Sequence, residues 1–209
     1  MEFPVSSVSV YVKAIDEVLR VKDEVRELVI RTTRDIVRES SLVVTYVHIG
    51  KLDEAEELLR RLKLKIDELD SKLNQHPELK YSNLYLTTLS EYVEALQFLS
   101  IVKFRCLKPP EEVGVHYVPY LQGILDLIGE IKRYILNLIK LNNISDAWVY
   151  FNIANDIYEC VRGLDYPDAL IPGIRHKVDV ARRLLEDLRE FLIDMESRIK
   201  LIEFLRNKS

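Results

Sequence analysis

The sequence predicts an all-α fold, an antiparallel bundle of about six to seven helices in one domain that spans residues 1–209. Glycine and proline are scarce, at 6 and 7 residues, which leaves little material for the many turns of a sheet protein. The segments between them are long and rich in Leu, Glu, Lys, Arg and Ile, the residues that favour helices. Hydrophobic residues make up 48% of the chain, which is enough for a sizeable core.

The first three helices are bounded by glycine, proline and charge. We expect helix one over residues 5–49, because Gly50 suits the left-handed residue that ends a helix. Its β-branched stretch 42–49 is compatible with a strand, but no second strand-like run offers a partner. Helix two, over 52–73, opens on acidic residues, which the positive end of the helix dipole favours. Helix three covers 81–107.

A loop, KPPEEVGVHYVP, separates these helices from the second half of the bundle. Helix four begins near Pro119, since proline fits the first turn of a helix, and it ends near residue 142. Helix five covers 145–162, and helix six covers 173–206, either continuous or with one break.

The formal net charge of −4 at pH 7 sets a condition on nucleic-acid binding. Proteins of that class are usually basic, so binding here must depend on a local basic patch. Cys106 and Cys160 lack metal-binding spacing and are expected to be buried free thiols in a reducing compartment. The sequence shows neither a signal peptide nor an apolar run of membrane-spanning length, so we expect a cytoplasmic location and no membrane partner.

Two pairs of acidic residues lie on helices that are otherwise apolar. Glu91 and Glu94 are three residues apart, and Asp126 and Glu130 are four apart, so each pair shares one helix face. Four buried carboxylates on facing helices require arginines, protons or a cation, because an unpaired buried charge is strongly destabilising. Mg²⁺, with Mn²⁺ as an alternative, prefers carboxylate ligands and bridges to phosphate oxygens. The pattern therefore predicts a divalent-metal site suited to chemistry on a phosphate group, as in the cutting of a nucleic acid.

Charge pairing is the alternative interpretation, with Arg133 or Arg105 neutralising these acids. Spacing alone does not decide between the two, since one sequence does not show that two helices face each other. A ferritin-like di-iron site also uses helix carboxylates, but it requires a Glu-x-x-His motif. None of the four histidines has a glutamate three residues before it, so the di-iron interpretation is excluded.

A basic stripe on helix one is the candidate nucleic-acid surface. Arg31, Arg34 and Arg38 follow the i, i+3, i+7 spacing of one helix face, which suits contacts with a phosphate backbone. The alternative is a solvated face held by local ion pairs. Tyrosine is abundant at 11 residues, and those near the acidic helices pack in the core or, alternatively, stack on unpaired bases.

Four segments, in order along the chain, resemble the translin superfamily and within it the Trax (translin-associated factor X) type. They are RTTRDIVRESSLVVTYVHIGKLDEAEELL, HPELKYSNLYLTTLSEYVEAL, YLQGILDLIGEIKR and IRHKVDVARRLLEDLREFL. The most specific are EYVEA and the YLxGIxDLxGE pattern. The resemblance implies a translin-like bundle that assembles into closed oligomers, typically octamers, with nucleic acid bound on the inner surface.

The resemblance also implies an activity. In Trax-type subunits the inward acids bind Mg²⁺ and cleave single-stranded RNA, and this role carries over to Glu91, Glu94 and Asp126, with Glu130 as a supporting metal ligand. Thr88 lies one turn before Glu91, where the resemblance leaves room for another acid, so the number of metal ions stays open. Homo-oligomerisation is expected, with single-stranded RNA, or alternatively single-stranded DNA, as the ligand. A non-catalytic translin-like binding protein and a purely structural assembly remain alternatives.

Overall fold

The structure is a computed structural model that describes the backbone of residues 5–206 and the side chains of residues 8–206. Within that range the protein folds into α-helices without any strand, which confirms the predicted all-α class. The helices are α1 (Val5–His48), α2 (Leu52–Leu73), α3 (Pro77–Lys80), α4 (Asn83–Phe104), α5 (Pro110–Val113), α6 (Tyr117–Lys140), α7 (Ile144–Arg162) and α8 (Ile174–Arg206).

Helix α4 lies at the centre of the bundle because it is apolar on most of its circumference. It packs against α1 and α2 on one side and against α6 on the other, and α6 in turn packs against α7 and α8. Tyr92, Val93 and Phe98 of α4 are buried, and they join one continuous core. The polar side chains of α4 from Thr88 to Ser100 are therefore buried or half-buried against other helices.

Gly123 allows α4 and α6 to approach closely. A Cβ atom at this position would lie 2.6 Å from Cβ of Val93 and 2.7 Å from the backbone oxygen of Ser90, both on α4. The absence of a side chain at Gly123 is thus a packing requirement. Gly129, six residues later on the same helix, faces open space, with nothing within 4 Å of an added Cβ.

The boundaries of the helices differ from the prediction in ways that local hydrogen bonds explain. Helix α6 begins at Tyr117, two residues before Pro119, because His116 caps it: the backbone N–H of Val118 donates to His116 Nδ1 at 3.3 Å. Two four-residue helices, α3 and α5, were not predicted, and each begins with a proline that fixes the first turn. Helix α8 is continuous over its 33 residues.

The loop after α4 is held by buried polar side chains. Gln97 is fully buried, and its side-chain amide donates to the backbone oxygen of Lys108 and accepts from the backbone N–H of the same residue, both at 2.8 Å. Arg105 ends α4 in the left-handed conformation with φ of 60°. The prediction of buried cysteines is wrong, since Cys106 and Cys160 are both exposed free thiols, Cys106 in this loop and Cys160 on α7.

Helix α1 is longer than the bundle that covers it. Its second half buries Val29, Ile36, Val43 and Val47, whereas residues 8–24 are exposed throughout. The exposed half still carries large apolar side chains: Val8, Val10, Tyr11, Val12, Ile15, Val18, Leu19 and Val21. The end of α8 is similar, with Leu201, Ile202, Phe204 and Leu205 exposed. Among the described helices, none has an apolar segment that would span a membrane.

Candidate metal centre and nucleic-acid interface

The structure brings the four predicted acids together where α4 packs against α6. Glu91 and Glu94 are half-buried on α4, and Asp126 and Glu130 are half-buried on α6. The negative charges of Glu91, Asp126 and Glu130 all act on Glu94. The spacing argument correctly placed each pair on one face, and the close contact at Gly123 sets the two faces opposite each other. We refer to these four residues as the acidic cluster.

Glu94 is the least compensated carboxyl of the acidic cluster. Burial, followed by the charges of Glu91, Asp126 and Glu130, raises the pKa of Glu94 to about 8. Burial and the charge of Asp126 also raise the pKa of Glu91 above its usual value. No hydrogen bond or ion pair to Glu91 or Glu94 comes from any residue that the structure describes. These two carboxyls therefore hold protons more tightly than ordinary glutamates, or require a cation.

The two acids on α6 have partners. The Lys177 ammonium on α8 donates to both oxygens of Asp126, at 2.5 and 2.6 Å. Nε2 of His48, at the end of α1, lies 2.5 Å from Oε2 of Glu130. The hydrogen bond from His48 outweighs burial and lowers the pKa of Glu130, with a smaller contribution from Arg133 at 3.6 Å.

The charge-paired alternative thus applies to half of the acidic cluster. Arg133 does approach Glu130, but Arg105 bonds to Asp146 at 3.1 Å instead. As the side chains stand, no three His, Cys, Asp or Glu residues within the described range converge closely enough to hold a metal ion. By donor chemistry the cluster suits a hard divalent cation, because it offers four carboxylates and no thiolate. A cation held by Asp126 would compete with the Lys177 ammonium for the same two oxygens.

Stability without metal should fall as the pH rises from 5 to 8. Over this range folded Glu94, with a pKa of about 8, keeps a proton that the unfolded chain has released, so deprotonation favours unfolding. The expected loss is at most on the order of 4 kcal/mol. Urea unfolding in EDTA at both pH values measures it. Glu94→Gln should remove most of the dependence, whereas the exposed control Glu24→Gln should not, and equal pH dependence in all three proteins would contradict the assignment.

The predicted arginines do not adjoin the acidic cluster within one chain. Arg31, Arg34 and Arg38 are exposed on the side of α1 opposite its buried residues. Arg38 bonds to Asp35 at 3.0 Å, whereas Arg31 and Arg34 have no acidic partner in the described range. His48, which contacts the cluster, follows Arg38 by ten residues, or about 15 Å along the helix axis.

Sequence analysis missed His48 and Lys177 as members of the site. They lie 82 and 51 positions from the acids that they contact, and no local spacing links residues so far apart. One signal was present: His48 follows Val47 and Val43 at the i+1 and i+5 positions of an apolar run, VVTYVH, and a polar ring beside buried positions requires a polar partner. Its side chain is only 5% exposed.

Comparisons with known proteins agree with the all-α fold and with the translin resemblance of the sequence. A model of the translin family matches residues 24–198. An uncharacterised protein of Methanocaldococcus jannaschii is 30% identical over 189 residues, which cover 88% of this chain and 82% of that protein. Translin-associated protein X of Mus musculus is 24% identical over 194 residues, covering 74% of this chain and 67% of the relative.

Two solved structures share the architecture. Apo-NeC3PO superposes with a TM-score of 0.80 at 20% identity, over 93% of this chain and 99% of that one. AfC3PO in complex with duplex RNA gives a TM-score of 0.79 at 23% identity, over 90% and 97% of the two chains. At 20% and 23% identity these structures show that the fold is shared. Family membership rests instead on the translin model, which matches residues 24–198. The chain belongs to the translin family.

Proposed function

We propose that the protein is a Mg²⁺-dependent endoribonuclease that cuts single-stranded RNA at the acidic cluster. The observation that carries this proposal is Glu94, a half-buried carboxyl with its pKa raised to about 8 among three further carboxyls and with no hydrogen-bond partner in the described range. A folded chain tolerates such a concentration of negative charge most readily where a cation is to be bound. The resemblance of the sequence to Trax-type subunits implies the same activity, and translin-associated protein X of Mus musculus is among its relatives.

Each acid has a proposed part. Glu91, Glu94 and Asp126 hold the cation, Mg²⁺ or Mn²⁺, and one of them also orients the attacking water. Glu130, fixed by the hydrogen bond from His48, supports the site as a further ligand. When bound, the ion supplies charge neutralisation at the phosphate and lowers the pKa of a water molecule. Lys177 balances the charge of Asp126, whose oxygens would otherwise be available to the ion.

Incubation of the purified protein with end-labelled single-stranded RNA, in Mg²⁺ or in EDTA, tests the proposal. We expect internal cleavage products with Mg²⁺ alone, and Mg²⁺ should also raise the thermal unfolding temperature at pH 8, since a ligand of the folded state stabilises it. A duplex of the same sequence, the form of RNA bound in the AfC3PO complex, serves as the comparison substrate. Products that form equally in EDTA would contradict a metal-dependent nuclease.

A non-catalytic translin-like protein that binds single-stranded nucleic acid is the second candidate. The pairing of Asp126 with Lys177 and the absence of a closed three-residue site in the described range favour it. It predicts salt-dependent retention of RNA or single-stranded DNA without cleavage. A third candidate, a purely structural assembly, predicts no retention at low salt.

The arginine stripe is proposed to hold the RNA backbone. Replacing Arg31, Arg34 and Arg38 together by Gln should weaken binding and lower the slope of log affinity against log salt by about 2, since each lost phosphate contact removes about 0.7 for a single strand. The matched control replaces Arg182, Arg183 and Arg198, exposed on α8, by Gln. Filter binding at several salt concentrations measures both. Equal losses in the two triple variants would assign the effect to net charge rather than to the stripe.

We further propose a closed homo-oligomer, with an octamer as the expected size. Large apolar side chains are exposed on the first half of α1 and on the end of α8, and contacts between copies of the chain would remove them from water. Light scattering that gives the single-chain mass of 24.5 kDa at micromolar concentration would contradict this assembly.

A further inference from the structure

A cavity of about 320 Å³ opens on the opposite side of α4 from the acidic cluster. Leu89 lines the cavity and Glu91 belongs to the cluster, and two residues correspond to about 200° around a helix. The cavity is bounded by α2, the turn between α3 and α4, and the residues that lead into α6. Its size is at the lower end of ligand pockets, about 300 Å³, which suits a small planar molecule better than a chain segment.

Aromatic rings form the rim of this cavity. Tyr81 is 58% exposed, and its ring lies edge-on to that of His116, with centroids 5.8 Å apart and planes at 75°. The ring of His116 in turn lies 4.0 Å from that of Tyr117, which supports it from outside the cavity lining. The hydrogen bond that His116 accepts from the backbone N–H of Val118 fixes its orientation. The rim therefore presents aromatic rings of fixed orientation, on which a flat ligand can stack.

The floor is apolar, and two carboxylates stand in the wall. Ile66, Leu86 and Leu89 provide the apolar surface. Asp70 is occupied, since Lys80 donates to its Oδ2 at 2.8 Å and the Tyr85 hydroxyl donates to its Oδ1 at 3.4 Å.

Asp67 retains hydrogen-bonding capacity. Lys63 donates to its Oδ1 at 2.7 Å, while Oδ2 accepts no hydrogen bond within the described range. Because Lys63 and Lys80 balance the two carboxylates, the wall carries no net charge. The wall therefore provides a hydrogen-bond acceptor, Oδ2 of Asp67, and an uncharged ligand can bind to it.

We propose that this cavity binds one unpaired nucleobase, stacked on Tyr81 and donating N–H groups to Asp67. Aromatic stacking and hydrogen bonds to base edges are the means by which proteins recognise single-stranded RNA. A carboxylate acceptor selects bases with adjacent N–H donors, so guanine is preferred to uracil, whose single donor lies between two carbonyls. The site does not depend on cleavage at the acidic cluster, and it remains testable in EDTA even if the nuclease proposal fails.

Calorimetric titration in EDTA tests the proposal with four probes: GMP, UMP, and the pentamers UUGUU and UUUUU. We expect GMP or UUGUU to bind at least about fivefold more tightly than its uracil counterpart. Tyr81→Ala should weaken that binding about five- to tenfold, the lower part of the range for one stacked base. Tyr81→Trp should restore it. Asp67→Asn should reduce the preference for guanine. Binding of UUGUU but not GMP assigns the cavity to a base within a strand, whereas comparable binding of GMP admits a free nucleotide.

Tyr166→Ala is the matched control, because Tyr166 is 55% exposed between α7 and α8, outside the cavity lining. Should Tyr81→Ala fail to fold, the ring-proton signals of His116 in the unaltered protein provide the second measurement, and they should shift when GMP or UUGUU is added. The proposal is overturned if neither guanine probe binds, if Tyr81→Ala and Tyr166→Ala bind equally well, or if the signals of His116 do not move in the presence of bound probe.

Discussion

Replacing Glu94 by Gln is expected to reduce Mg²⁺-dependent RNA cleavage by at least about a hundredfold while RNA binding survives. The substitution keeps the shape of the side chain but removes one negative charge from the acidic cluster, where burial has left Glu94 without a partner in the described range. Asp126→Asn should have a similar effect, since this side chain must also release Lys177 to meet the ion. Single-turnover cleavage and filter binding, measured on the same preparations, check both expectations.

The stability of the variant separates loss of chemistry from loss of structure. Glu94→Gln should unfold at higher urea concentration than the unaltered protein at pH 8 in EDTA, because a buried carboxylate no longer has to ionise. The control Asp179→Asn, at an exposed position on α8, should change neither cleavage nor stability. A Glu94→Gln protein that cuts as fast as the original in Mg²⁺ would remove this residue from the proposed mechanism.

The second large effect is expected at Gly123. Gly123→Ala places a methyl group 2.6 Å from Cβ of Val93 and 2.7 Å from the backbone oxygen of Ser90, so the two helices must separate. Overpacking of this kind costs about 1–3 kcal/mol, and the rigid neighbours here place the change at the upper end. Because α4 and α6 hold the two halves of the acidic cluster, cleavage should decrease together with stability.

Gly129→Ala is the matched substitution on the same helix. An added Cβ meets nothing within 4 Å, so the variant should gain up to about 1 kcal/mol from the higher helix propensity of alanine. Urea unfolding of the two variants therefore should show shifts of opposite sign. Equal shifts would mean that helix propensity, rather than the contact with α4, decides the effect at Gly123.

Local sequence patterns predicted most of the helical framework. Proline, glycine and helix-forming composition located six long helices to within a few residues, and the spacing of Glu91 and Glu94 placed both on one face. The short helices α3 and α5 escaped prediction because four residues carry no periodic signal. Helix α8 is unbroken because its buried residues, Ala181, Leu185, Leu188 and Leu192, keep one stripe against the bundle.

Local sequence patterns could not predict which basic side chains contact the acidic cluster. The charge-paired alternative named Arg105 as a partner of these acids, but Arg105 ends α4 in a left-handed conformation and bonds to Asp146 instead. Lys177 and His48 reach the acids only because α8 and α1 fold against α6 and α4. Contacts of this kind depend on helix packing angles, which one sequence does not specify.

The two halves of α1 differ in local stability, because only the second half contributes buried residues to the core. Residues 8–24 are exposed and rich in β-branched side chains, which are mediocre helix formers, so little besides backbone hydrogen bonds holds this half when the chain is alone. Its amide protons should exchange with solvent after only local fraying. The amide protons around Val43 and Val47 should exchange only when the whole protein unfolds. In a dilute solution the first half of α1 therefore has low local stability, whereas the second half is as stable as the core of the bundle.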